Sequence, residues 1–271
     1  MIGAIIGDVA GSRFEFHNEL TKRFKLLHKD CCYTDDTVMT CAVAYALMRA
    51  DGNPDFMKEN TIACMRAVGQ RFPYCGYGGR FFRWMFSHTS EPINSLGNGA
   101  AMRVSAVAEF AETEEELKQL THDVTVVSHN HPEGLKAAEA TALSCWLAKN
   151  GWDKKTIREY ITREYYPEMA EMSVEELHAT YKKEIGDSKF REWAPYSVPQ
   201  ALVCFFESKS FEDAIRNCVY IGGDCDTTGA IAGGIAEYYY GVPKRLRKKV
   251  MSFLDDVLAM IVSEYYDNAT S

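Results

Sequence analysis

The hydrophobic pattern of this 271-residue chain is helical almost throughout. Residues 2–11 alternate small and branched apolar side chains, with Gly3, Ala4, Gly7, Ala10 and Gly11 at spacings of three and four. That spacing predicts a closely packed, buried helix, with Asp8 inside it. Apolar periodicity predicts further helices over 34–48, 60–70, 133–148, 198–206 and 211–220. A small-residue run from Gly229 to Gly234 reads as another buried helix, and an amphipathic tail over 244–266 closes the bundle. Strand signals are scarce. The expected fold is all-α, a compact helical domain spanning 1–271, with the charged and aromatic stretch 150–196 as surface helices and loops rather than a second domain.

Composition changes this picture little. Apolar residues make up 46% and charged residues 25%, as in ordinary globular chains. The net charge of −8 argues against non-specific nucleic-acid binding, although a local basic patch can override it. Nine cysteines form no C-x-x-C pair, which fits reduced thiols better than a disulfide framework. No signal-peptide pattern and no bilayer-spanning run is present, so a cytoplasmic protein without a membrane partner is expected.

The chemistry gathers in two remote stretches. Gly222-Gly223-Asp224-Cys225-Asp226-Thr227-Thr228 sets two carboxylates and two hydroxyls at a helix start, and Tyr33-Thr34-Asp35-Asp36-Thr37 repeats the theme. One such residue suffices to cap a helix. The surplus leaves two readings: over-capped helices, or hard oxygen ligands for cations of the Mg²⁺ or Mn²⁺ class. Two helix N-termini meeting would clamp two cations, and four aspartates would neutralise them.

Four further stretches stand out. Glu15 lies between Phe14 and Phe16, either pointing to solvent or carried on a flap over a nearby site. Gly76-Tyr77-Gly78-Gly79 is a turn or a close approach of backbone to ligand. Asn94 to Arg103 is expected to lead into an alanine-rich helix whose free amides would seat a phosphate or diphosphate. His129 and His131 sit in a polar loop suited to orienting a ligand, with no third ligand at zinc spacing.

Taken in order, Gly7-Asp8…Gly11-Ser12…Glu15, Thr34-Asp35-Asp36-Thr37, Gly97-Asn98-Gly99-Ala100-Ala101-Met102-Arg103, Ser128-His129 and Gly222-Gly223-Asp224-Cys225-Asp226-Thr227 resemble the motifs of the ADP-ribosylglycohydrolase family. The resemblance implies an all-α fold with a binuclear Mg²⁺ (or Mn²⁺) centre held by Thr34, Asp35, Asp36, Asp224, Asp226 and Thr227. It implies ADP-ribose bound at Gly97, Asn98, Gly99, Met102 and His129, with Glu15 and Asp36 as candidate catalytic carboxylates. The implied reaction is hydrolysis of an N- or O-glycosidic bond at the distal ribose of an ADP-ribosylated protein or small-molecule conjugate. A nucleic acid would enter only as an ADP-ribosylated end. Two alternatives stay open: a non-catalytic ADP-ribose binder, and a two-metal phosphohydrolase acting on a nucleotide.

Overall fold

The computed structural model describes residues 1–50, 56–184 and 191–269, and part of the charged stretch 150–196 falls outside them. The described chain is built from helices: α1 (Ile2–Gly11), α2 (Asp35–Ala50), α3 (Met57–Gly69), α4 (Gly79–Met85), α5 (Glu114–Val126), α6 (Pro132–Lys149) and α7 (Lys154–Glu164). There follow α8 (Val174–Glu184), α9 (Ala194–Phe206), α10 (Phe211–Ile221), α11 (Cys225–Tyr240), α12 (Lys244–Met251) and α13 (Asp256–Ala269). Short 3-10 turns occupy Asn98–Ala100, Ser105–Glu109 and Pro167–Glu171. Among the described residues the only β pairing is an isolated antiparallel bridge between Gly97 and Trp193.

The centre of the molecule is the antiparallel pair α1 and α11. Every residue of α1 is buried. The small residues explain how two backbones come so close. A Cβ on Gly3 would stand 2.2 Å from the Gly233 carbonyl oxygen, one on Gly7 1.9 Å from that of Gly229, and one on Gly11 2.2 Å from that of Cys225. Only glycine admits this approach. Helices α2, α6, α9 and α10 surround the pair, with α3 and α13 outside α2 and α5 outside α6. One contiguous hydrophobic core runs through all of them.

Two expectations change on inspection. The segment after Met102 is not an alanine-rich α-helix but a 3-10 turn over Ser105–Glu109, buried between α6 and α2. The C-terminal tail breaks into α12 and α13 at Ser252–Asp255, where Ser252 caps α12. All nine cysteines are free thiols, and only Cys32 is exposed. No described helix is long and apolar enough to cross a membrane.

Candidate metal centre

The α1–α11 pair delivers the C-terminal end of one helix and the N-terminal end of the other to the same place. At the start of α11, Gly222 and Gly223 both take positive φ, +80° and +86°, turning the chain sharply before Asp224. Asp224 is the N-cap, yet its side chain makes no cap bond. Its carboxylate accepts from Asn98 Nδ2 at 2.7 Å instead. Capping therefore does not explain this aspartate.

At the start of α2, the Asp35 amide donates to the Cys75 carbonyl at 2.7 Å, setting the register of the Thr34-Asp35-Asp36 turn. Asp36 Oδ2 accepts from Thr227 Oγ1 at 3.1 Å and faces Thr34 Oγ1 at 3.3 Å. The two remote motifs thus meet in direct contact.

Carboxylate oxygens gather in two triads that share one residue. Asp8, Asp36 and Asp226 form the first, and Glu15, Asp224 and Asp226 the second; within each, one oxygen per residue lies within 4.8 Å of the others. Asp36 Oδ1 and Asp226 Oδ1 are buried without any hydrogen-bond donor. Burial and mutual repulsion push these groups upward. Asp36 and Asp226 rise well above the carboxylate range, from burial first and then from neighbouring acids. Asp224 is raised chiefly by burial. Glu15 rises to about 7, from burial and then from Asp224. An orphaned, oxygen-only, strongly acidic set of this kind fits divalent cations, whose charge would remove the repulsion.

Asp35 stands slightly apart. It is half-buried and belongs to neither triad, with its Oδ1 facing Gly76, whose φ is +98°. Its carboxyl is raised well above the ordinary range by burial and then by Asp8 and Asp224, so it feels the same field. Glu15 turns inward rather than to solvent. Its loop is pinned by Asn18, which donates to the Gly223 carbonyl at 3.2 Å and accepts from the Gly223 amide, and Arg191 donates to the Glu15 carbonyl at 3.1 Å.

Asp8 was not singled out as a ligand by sequence reasoning. It is fully buried and accepts from the Thr34 amide (3.0 Å), Thr34 Oγ1 (2.8 Å), the Thr37 amide (3.0 Å) and Thr37 Oγ1. These four donors tie α1 to the start of α2 and direct the Thr34 hydroxyl proton to Asp8, while the Thr34 oxygen accepts from the Asp36 amide at 3.3 Å. Burial outweighs the four bonds and lifts its carboxyl to about 6. The available signal was an ionisable residue inside an otherwise apolar helix, which must find partners when buried.

A wall beside the centre collects the remaining candidates. Asn98 opens the 3-10 turn, its amide shared between Asp224 and Ser197 Oγ (3.0 Å), so it braces the acidic cluster. Gly97 lies on the bridge to Trp193, its amide donating to Ser95 Oγ at 3.1 Å. Gly99 and Met102 border His129: a Cβ on Gly99 would lie 3.3 Å from His129 Nε2 and 3.8 Å from Met102 Cε. His131 does a different job, accepting from the Glu133 amide as the N-cap of α6.

Comparisons with known proteins agree with the fold. The sequence profile of the ADP-ribosylglycohydrolase family matches residues 1–270. The chain is similar to ADP-ribosylhydrolase ARH3 of Bos taurus, 24% identical and covering 99% of this chain and 92% of that protein. It is 26% identical to the ADP-ribosyl-[dinitrogen reductase] glycohydrolase of Rhodospirillum rubrum, over 89% and 84% of the two. A solved structure titled an ADP-ribosylglycohydrolase-related protein complex superposes with TM-score 0.69 at 21% identity, covering 99% of this chain and 95% of that one.

Proposed function

The chain belongs to the ADP-ribosylglycohydrolase family, and from that premise we propose that it is a metal-dependent hydrolase releasing ADP-ribose from an ADP-ribosylated protein or small-molecule conjugate. The observation that carries the metal dependence is the pair of carboxylate triads sharing Asp226, with Asp36 Oδ1 and Asp226 Oδ1 buried and unpaired. The residues that would hold two Mg²⁺ or Mn²⁺ are Thr34, Asp35, Asp36, Asp224, Asp226 and Thr227, with Asp8 behind Thr34. When bound, such a pair supplies Lewis acidity and a grip on adjacent ribose hydroxyls. The whole chain acts as one catalytic domain, in keeping with the main hydrophobic core that runs through most of its helices.

The chain's own groups do the rest. Breaking the C1 bond of the ribose develops positive charge on the sugar, and the carboxylates around it offset that charge. Glu15 has the position of a general acid or base: it is half-buried, beside Asp224 and Asp226, and burial lifts its carboxyl above the ordinary range. Its role is to take a proton from water or return one to the leaving group. Asp36 is the second carboxylate able to do so, with Thr227 fixing one of its oxygens. Gly97, Asn98, Gly99, Met102 and His129 would hold the ADP-ribose, with Gly99 leaving room over His129.

The test is a panel of arginine-linked, serine-linked and small-molecule ADP-ribosyl conjugates incubated with Mg²⁺, Mn²⁺ or chelator, reading released ADP-ribose. Release that depends on the cation supports the proposal. Phosphate release from ADP-ribose would point instead to a phosphohydrolase, and binding of ADP-ribose with no turnover of any conjugate to a non-catalytic binder.

A further inference from the structure

Arg103 is a fully buried cation that forms no salt bridge with a carboxylate among the described residues. Its Nη2 donates to Ser128 Oγ at 2.9 Å and to the Val124 carbonyl at 3.3 Å. Ser128 Oγ in turn lies 2.9 Å from His129 Nδ1. A guanidinium has no acceptor, so Ser128 Oγ accepts from Arg103. The serine's own proton is then left for His129 Nδ1, the one acceptor in contact with it among the described residues. A neutral imidazole that accepts at Nδ1 carries its proton on Nε2. That nitrogen faces Gly99.

We propose that Arg103 is a positioning residue that acts through Ser128 to fix His129 as a neutral Nε2–H donor, aimed across Gly99 at an acceptor oxygen of the bound ligand. This rests on the ADP-ribosylglycohydrolase reading only for the identity of that ligand. Three observations hold the relay in place. The Ser128 and His129 amides both donate to the Thr125 carbonyl, at 3.2 and 3.0 Å, closing the end of α5 as a turn. The Ser128 carbonyl accepts from the Ile93 amide at 3.0 Å. Phe81 lies 6.1 Å from the His129 ring and 5.9 Å from the Arg103 guanidinium, covering both. The charges acting on His129, Arg103 and Arg80 from α4, are positive, and together with burial they hold its titration well below the usual range. The imidazole therefore stays neutral and its N–H stays available. A phosphoryl oxygen accepts from such a donor without the charge of an imidazolium being buried.

Nitrogen-15 long-range NMR on the histidine-labelled full chain reads the tautomer directly, with the His129 signals identified by their loss in His129→Gln. At pH 7 the wild-type ring is expected as the Nε2–H form. Ser128→Ala should give mixed tautomers and weaken ADP-ribose binding about fivefold to tenfold by calorimetry, as for one lost hydrogen bond. Arg103→Lys, which still donates to Ser128, should retain the wild-type tautomer. An Nδ1–H ring or an imidazolium in the wild type at pH 7 overturns the proposal, as does a Ser128→Ala ring identical to the wild type. If the tautomer is as stated but ADP-ribose does not bind, the relay stands and the glycohydrolase reading is what fails.

Discussion

Replacing Gly7 by alanine adds one methyl group where α1 and α11 approach each other most closely. Its Cβ would sit 1.9 Å from the Gly229 carbonyl oxygen and 2.2 Å from the carbonyl carbon. Ordinary van der Waals contact begins at about 3.4 Å, so α1 and α11 must separate by roughly 1.5 Å, and the obstacle is backbone, which no rotamer change relieves. Overpacking of this kind costs about 3 kcal/mol, against about 1 kcal/mol gained from helix propensity. The net loss is about 2 kcal/mol, or a melting temperature lowered by about 4–8 °C for a domain of this size. The shift also moves Asp8 away from Asp226, whose oxygens now share a triad. Magnesium tolerates little departure from octahedral geometry. Divalent affinity should therefore fall about tenfold or more, beyond what global destabilisation gives to a protein that is still folded. Chemical denaturation and calorimetric Mn²⁺ titration measure the two effects, with Gly78→Ala, where the new Cβ meets nothing within 4 Å, as the control. A Gly7→Ala protein within about 0.5 kcal/mol of wild type, the range of a neutral surface change, would refute the packing argument.

Asp36→Asn should leave the far-ultraviolet spectrum unchanged while abolishing cation-dependent ADP-ribose release; wild-type rates in that variant would remove Asp36 from the site. Glu15→Gln should lower turnover about 10²- to 10⁴-fold, the usual contribution of a general acid or base, with ADP-ribose affinity largely kept. Asp8→Asn turns one oxygen into an amide facing the Thr34 and Thr37 amide donors, so Mn²⁺ affinity should drop at least tenfold; an unchanged titration would make Asp8 a bystander. In the cation-free protein, Asp8 at about 6 and Glu15 at about 7 both titrate above their ordinary values. The folded state then binds more protons than the unfolded state, so stability falls as pH rises from about 4 to 7. For Asp8 alone this is on the order of 3 kcal/mol. Melting scans with chelator should show higher stability at pH 5 than at pH 8, and Mg²⁺ or Mn²⁺ should stabilise most at the higher pH.

The helices were legible because their apolar spacing was regular, and the small-residue spacing in 2–11 already foretold a backbone contact. The acidic motifs were legible as surplus over what one cap requires, and Asp224, at the N-cap of α11, makes no side-chain cap bond. Asp8 was harder, because one acid in an apolar run looks the same whether its partners are four residues or thirty residues away. Those partners, Thr34 and Thr37, lie just before and within the first turn of another helix. Glu15 offered two readings from its aromatic flanks, and the long-range bonds of Asn18 to Gly223 decide between them. The alanine-rich run after Met102 carried strong helix propensity, yet its place between α6 and α2 gives it a 3-10 turn. Tertiary packing overrode local preference there.

The bond from Thr227 to Asp36 spans 191 positions of sequence. A polypeptide still being synthesised, with only its first two hundred residues made, owns Asp8, Glu15 and Asp36 but none of the acids on α11. It has nothing with which to complete either triad. Closure of such a long loop comes late and slowly in folding. Both triads thus wait on the meeting of two stretches that lie nearly the whole described sequence apart.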